Sequence, residues 1–133
     1  MGLVEGKIAI VTGGGANIGE ACARMLAAHG AQVVIADVNA DGASHVANDI
    51  RSGGGKAVAH SVDIADEDSI AKLIEAVTSQ FGRIDILHNN AANTAAAQMM
   101  RDGAITAMES AVWDAAFDVN VRGTMLMTKH AVP

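Results

Sequence analysis

The stretch Ile8-Ala9-Ile10-Val11-Thr12-Gly13-Gly14-Gly15-Ala16-Asn17-Ile18-Gly19 constrains this chain more than any other. It begins as a short apolar run rich in β-branched residues, the pattern of a strand buried on both faces. It then breaks into glycines, which permit a tight turn and a close approach of backbone to a ligand. From Ile18 the apolar positions Ile18, Cys22, Met25 and Leu26 recur at helical spacing and predict one inward face. Strand, glycine turn and helix bring free backbone N–H groups and a positive helix end to one point, and such a point binds phosphate.

A glycine turn alone is weak, because Gly-Gly-Gly also occurs in plain loops. A dinucleotide fingerprint needs a strand before it, a helix after it and an acid about 20 residues on. Val33-Val34-Ile35-Ala36-Asp37 supplies a second buried strand that ends in an acid, and Asp37 follows Gly19 by 18 residues. That spacing suits a carboxylate that accepts hydrogen bonds from a ribose.

The rest of the chain alternates. Asn39 is placed to cap a helix whose apolar face is Ala43, Val46, Ala47 and Ile50, ended by Gly53-Gly54-Gly55. This second glycine run has no buried strand feeding it and reads as a plain turn. Lys56 to Ile64 predicts a third strand, and Asp66 or a neighbour caps the next helix. Ile70, Leu73, Ile74, Val77 and Phe81 form its strong amphipathic face, stopped by Gly82. Ile84 to His88 predicts a fourth strand. Ala91 to Thr106 has no period and reads as a loop. Ser110 is expected to cap a last helix with a face of Trp113, Phe117, Asn120, Thr124 and Met127, closed by Pro133. The pattern βαβαβαβα predicts an α/β, Rossmann-type doubly wound parallel sheet of strand order 3-2-1-4, one domain over residues 1–133.

Composition excludes several classes of function. A formal net charge of −6 argues against nucleic acid and against an anionic membrane surface as partners. No apolar run approaches a membrane span, and the start lacks the apolar core of a secretory signal. Met1-Gly2 does not continue as a myristoylation signal, because Gly6 stands where Ser or Thr is needed. The single Cys excludes an internal disulfide. Cys22 is expected to be a core residue, and a cytoplasmic setting fits. The five His residues fall on different elements and predict no metal site, and His88 is taken as a strand-end residue.

Several motifs in the right order resemble the short-chain dehydrogenase/reductase family. Thr12-Gly13-x-x-x-Asn17-Ile18-Gly19 resembles its Thr-Gly-x-x-x-Gly-x-Gly turn, and Asp63-Ile64 its adenine-pocket pair. Asn89-Asn90-Ala91-Ala92 resembles its Asn-Asn-Ala-Gly at the end of the fourth strand. Asn120 matches the helix Asn of its catalytic tetrad, and Trp113-Asp114 and His130 to Pro133 sit where the family has similar residues. The resemblance implies reversible hydride transfer between an alcohol or ketone substrate and a nicotinamide cofactor. It places Gly13, Asn17, Ile18 and Gly19 at the pyrophosphate, Asp37 and its neighbour Val38 at the adenosine ribose, and Asp63 and Ile64 at the adenine. Asn90 and Ala91 fall near the nicotinamide ribose, and Asn120 in the proton relay. Asp37 sits where the 2′-phosphate of NADP would lie, and no Lys or Arg occupies Gly14, Gly15, Ala16 or Val38, so NAD is expected over NADP. The family also implies a homo-oligomer for the full-length protein.

The sequence departs from the family in three places. Asn17 replaces the middle glycine of the turn; Asn tolerates positive φ better than other side chains. Ala92 replaces the last glycine of the fourth-strand motif. The family's Ser and Tyr-x-x-x-Lys, which lie beyond the fifth strand, are not reached, and the sequence contains no Tyr. These 133 residues are therefore expected to be the cofactor-binding half, inactive alone and prone to associate through an open fourth-strand edge. The alternative is a non-catalytic dinucleotide-binding or interaction module ending at residue 133.

Overall fold

The computed structural model describes residues 2–94 and 99–133. Four strands, β1 (Ile8–Thr12), β2 (Gln32–Asp37), β3 (Lys56–Ser61) and β4 (Ile86–His88), form one parallel sheet of order β3-β2-β1-β4. The expected order is therefore the observed one. The strands are joined by α1 (Asn17–Ala28), α2 (Ala40–Ser52) and α3 (Glu67–Phe81). After β4 come a 3-10 turn (Ile105–Ala107), α4 (Ser110–Phe117), a π-helical segment (Asp118–Gly123) and α5 (Thr124–Ala131).

Both faces of the sheet are covered, as a parallel sheet requires. Ala9, Val11, Val33 and Ile35 pack against α1 and α2, through Ala23, Ala27, Val46 and Ile50. Ile10, Val34 and Ala36 point the other way, onto Ile70, Leu73 and Val77 of α3 and onto Leu126 and Met127 of α5. Alternation along each strand thus feeds two cores, and every residue of β1 is buried. The caps follow the sequence closely at two helices. Asn39 Oδ1 accepts from the Gly42 N–H, and Asp66 Oδ1 from the Asp68 N–H. Gly82 ends α3 at φ 78°, and Gly54 turns the chain after α2 at φ 85°.

Several expectations need correction. β3 ends at Ser61 rather than Ile64, so Val62, Asp63 and Ile64 leave the sheet; Val62 N–H still donates to the Asp37 carbonyl at 3.0 Å. β4 begins at Ile86 rather than Ile84. The Asp85 carboxylate takes the Ile8 N–H at 2.8 Å, a donor that a longer ladder would have used. That bond, with Arg83 and Lys7 nearby, holds the Asp85 carboxyl below the usual carboxylate range.

The inward face of α1 was misassigned by hydrophobicity. The buried residues are Gly19, Ala23 and Ala27, whereas Ile18 is 72% and Met25 66% exposed. The reason is distance: a Cβ on Gly19 would lie 2.0 Å from the Gly13 carbonyl oxygen, so only small residues let this helix approach the turn. Cys22 is consequently half-buried rather than in the core. In the last helix Ser110 is the first helical residue, and Glu109 takes the cap position without a side-chain bond. The expected Trp113–Phe117–Asn120 face is turned outward. Val112 is buried instead, and the two aromatic rings stack on each other at 4.7 Å. Of the segment expected to be a loop, residues 95–98 lie outside the described residues, as does Met1; a 3-10 turn occupies its end.

Candidate functional site

The C-terminal ends of β1, β2 and β4 open into a cleft of about 920 Å³. A crevice at the carboxyl ends of parallel strands, where the strand order reverses, is the ligand position in open α/β sheets. Gly13, Asn17, Ile18, Gly19, Asp37, Val38, Asp63, Ile64, Asn90 and Ala91 all line it. Sequence reasoning therefore names residues from four separate segments that the fold brings to one cavity. Asn120 is the exception. It lines a smaller adjoining cavity, and its Oδ1 accepts from the Asn93 N–H at 2.8 Å.

The floor of the cleft is the turn after β1. Gly13 sits at φ 64°, and a Cβ there would come within 2.9 Å of the Ala91 Cα. Asn17, at φ 51°, is the single non-glycine residue at positive φ among the described residues. The substitution of Asn for the family's glycine thus retains the left-handed backbone. Ala92 adopts no positive φ, so its replacement of glycine asks nothing unusual of the chain. Helix α1 starts at this turn with Ala16 at its cap, a residue with no side-chain acceptor. Its first-turn N–H groups lack the side-chain capping found at α2 and α3, and they face a cleft whose lining contains no Lys, Arg or His among the described residues. Helix dipole and backbone donors are the positive elements such a site offers an anion.

The acid at the end of β2 is tightly held. Asp37 Oδ2 accepts from the Gly15 N–H at 2.9 Å, and Oδ1 from the Asn39 N–H at 2.9 Å. Each oxygen keeps lone-pair capacity for another donor. A Cβ on Gly15 would lie 2.9 Å from Asp37 Oδ2 and from the Ala43 nitrogen, so no side chain can be added beside this carboxylate without a shift. Across the cleft, Asp63 Oδ1 accepts from the Ala65 N–H, and the Asp63 N–H donates to Ser69 Oγ. Ile64 is held from behind by Gly123, whose absent Cβ would meet the Ile64 carbonyl at 2.7 Å. The same wall is tied to the end of α5. Glu67 Oε1 accepts from Lys129 Nζ at 2.8 Å and pairs with His130 Nε2 at 2.9 Å. Those two groups bring the Glu67 carboxyl down to about 2.

Thr12, which opens the turn motif, has a structural role that the motif itself does not express. It is 1% exposed, and its Oγ1 accepts from the N–H groups of Asn90 and Ala91 at 3.0 and 3.1 Å. Its hydroxyl proton is directed to the His88 carbonyl at 3.4 Å. The Asn90 amide returns two bonds, to the carbonyls of Thr12 and Gly13. Thr12 and Asn90 together lock the turn after β1 to the end of β4. The sequence signal was present, since a Thr at the end of an otherwise apolar buried strand must find partners. His88 differs from its neighbours: its Nε2 is buried and makes no hydrogen bond with the described residues.

No His, Cys, Asp or Glu group suited to a metal occurs among the described residues, and none of their helices is long and apolar enough to cross a membrane. The family model described as short chain dehydrogenase matches residues 7–133. A probable short-chain type dehydrogenase/reductase of Bradyrhizobium diazoefficiens is 51% identical over 133 residues, all of this chain and 47% of that protein. Among solved structures, a 3-ketoacyl-(acyl-carrier-protein) reductase from Brucella melitensis complexed with NADH is similar at a TM-score of 0.86. Its sequence identity is 38%, with 98% of this chain and 50% of that one covered. A metagenomic short-chain oxidoreductase in complex with NADP gives a TM-score of 0.88 at 33% identity, covering 98% and 57%. The chain spans about half the length of the curated relatives it matches. Motifs, strand order and these similarities agree, and the chain belongs to the short-chain dehydrogenase family.

Proposed function

We propose that these residues are the cofactor-binding half of an NAD-dependent oxidoreductase acting on an alcohol or ketone. The observation that carries this reading is the convergence of ten residues from four segments on one cleft, with an uncapped helix N-terminus at its floor and a fixed carboxylate at its rim. The cleft volume is within the range of complete small-molecule sites. Two relatives of known structure hold NADH and NADP in their crystals, which supports a nicotinamide dinucleotide here.

When bound, the dinucleotide supplies a nicotinamide carbon that exchanges hydride with the substrate carbon. The chain's own part is binding and alignment. Gly13, Asn17, Ile18 and Gly19 receive the diphosphate on backbone N–H groups, without a competing side-chain cation or cap. Asp37 accepts from the adenosine ribose hydroxyls and repels a phosphate placed on one of them, with Val38 beside it. Asp63 and Ile64 border the adenine. Asn90 and Ala91, pinned by Thr12, border the nicotinamide ribose. Asn120 acts as a positioning residue, since its side-chain oxygen is engaged by the Asn93 N–H. With no Tyr in the sequence, the 133 residues alone do not turn over. The protein is placed in the cytoplasm, and a second copy covers the outer surface of the last helix at Val121 and Met125 in a homo-oligomer.

Dissociation constants for NAD and NADP test the reading. NAD is expected to bind about tenfold tighter or more, equivalent to ~1.4 kcal/mol for one unfavourable charge contact. Asp37→Ala narrows that ratio, and Gly19→Val abolishes both affinities because its side chain enters the Gly13 carbonyl. Equal affinities in the unaltered protein refute the NAD preference; no binding of either refutes the site.

A further inference from the structure

A cavity of about 220 Å³ adjoins the cleft and shares Asn93 and Met99 with it. Asp102, Met108, Trp113 and Phe117 contribute to its walls. Besides the aliphatic Val112 and Ala116, its lining offers a carboxylate, two thioethers, two aromatic rings and two amides, with no Lys, Arg or His among the described residues. Asp102 forms no ion pair among the described residues, and the adjacent Arg101 is engaged by Glu109 at 2.6 Å. Trp113 and Phe117 stack with 23° between their planes, which occupies one face of each ring and leaves the other. A carboxylate beside aromatic faces and thioethers is the surrounding that an organic cation prefers over a neutral or anionic group.

Size adds a second constraint. The cavity falls below the range of complete ligand sites, so it seats one end of a molecule whose remainder extends through Asn93 and Met99 toward the cleft. We propose that it binds the ammonium end of an amino-alcohol or amino-ketone substrate. The redox part of that statement rests on the dinucleotide reading above; the ammonium binding does not.

Trp113 is the single Trp of the sequence and reports on the cavity directly. Its emission is followed while cyclohexylammonium, cyclohexanol or cyclohexanecarboxylate is titrated at pH 7 and constant ionic strength. The ammonium is expected to perturb Trp113 with an affinity at least about tenfold above that of the alcohol, and the carboxylate to bind weakest. Asp102→Asn brings the ammonium to the level of the alcohol, Asp102→Glu keeps the preference, and neither variant changes NAD affinity measured by calorimetry. Equal binding of ammonium and alcohol, an unchanged Trp113 signal, or a preference that survives Asp102→Asn overturns the proposal. NAD binding without ammonium binding removes this inference alone. Ammonium binding without NAD binding removes the oxidoreductase reading and leaves the cation site.

Discussion

β1 and β4 lie side by side in parallel, with Ala9 opposite Ile86, Ile10 opposite Leu87 and Val11 opposite His88, yet they live in different environments. All five residues of β1 are buried; all three of β4 are half-buried. β1 has a neighbouring strand on each side and helices over both faces. β4 has one neighbour and is one of the two edge strands of this four-stranded sheet, β3 being the other. Composition separates them little, since each is an apolar run closed by a polar residue, Thr12 in β1 and His88 in β4. What differs is position in the topology, and position decides how much each methyl group stabilises.

The largest consequence concerns the free edge. A polypeptide of residues 1–133 presents the unpaired groups of β4 together with the exposed Trp113, Phe117, Val121 and Met125. It is expected to associate as its concentration rises. Size-exclusion chromatography with light scattering checks this, and a compact monomer at every concentration would remove the contrast between the two strands. At the level of single residues, Ile10→Ala in β1 should cost about 3 kcal/mol, while Leu87→Ala in β4 should cost about 1 kcal/mol, because less of it leaves water. Urea unfolding at low protein concentration gives both numbers; similar losses would break the comparison.

The link between the two strands comes next in size. Thr12→Val keeps the shape but leaves the N–H groups of Asn90 and Ala91 without their acceptor, at a cost of about 2 kcal/mol. Thr12→Ser should be nearly silent. If Val and Ser behave alike, Thr12 matters only through packing. The smallest expected effect is electrostatic. Glu67 titrates at about 2 in the folded protein, below its ordinary 4.5. Its contribution is therefore fully present above pH 4.5 and is lost as pH falls from 4.5 toward 2. Since the Glu67 pair is exposed, the effect is modest. The stability difference between the unaltered protein and Glu67→Gln should shrink across that window, and a constant difference would show that Lys129 and His130 do not hold this carboxylate.

The sheet, its strand order, the turn after β1 and Asp37 were legible because they rest on short-range signals: β-branched runs, glycines that relieve backbone strain, and an acid at a fixed interval; Val38, Asp63, Ile64, Asn90 and Ala91 were reached only through the family resemblance. Two things were not legible. The face of α1 was hidden because hydrophobicity ranks Ile18 and Met25 above Gly19 and Ala23, whereas the approach to Gly13 selects for smallness. The last helix was read as one uniform cylinder. Its buried residues are Val112, Gly123, Leu126 and Met127, and the aromatic residues that seemed to be anchors stand outside. The register of such a helix depends on what it packs against, here Ile64 and α3, which lie more than 30 residues upstream. Asn120 was legible as a polar residue on a helix face, but its partner, the Asn93 N–H, belongs to a segment without periodic pattern.

The wide turn at Asp118–Gly123 makes the chain unequally tolerant of changes in length. An α-helix advances about 100° per residue. Deleting a single residue within residues 118–123 would close the wide turn to an ordinary α-helical one and leave Leu126 and Met127 against α3, whereas a deletion between Val112 and Phe117 would turn them away and carry Lys129 and His130 from Glu67. Adding a further residue to a turn that already holds an extra one would rotate them out of register. Substitutions on the outer surface of the same helix, at Val121 or Met125, disturb neither contact. Point replacements on the outer surface and the loss of one residue at the wide turn can therefore be accommodated along this helix, while deletions elsewhere in it are barred.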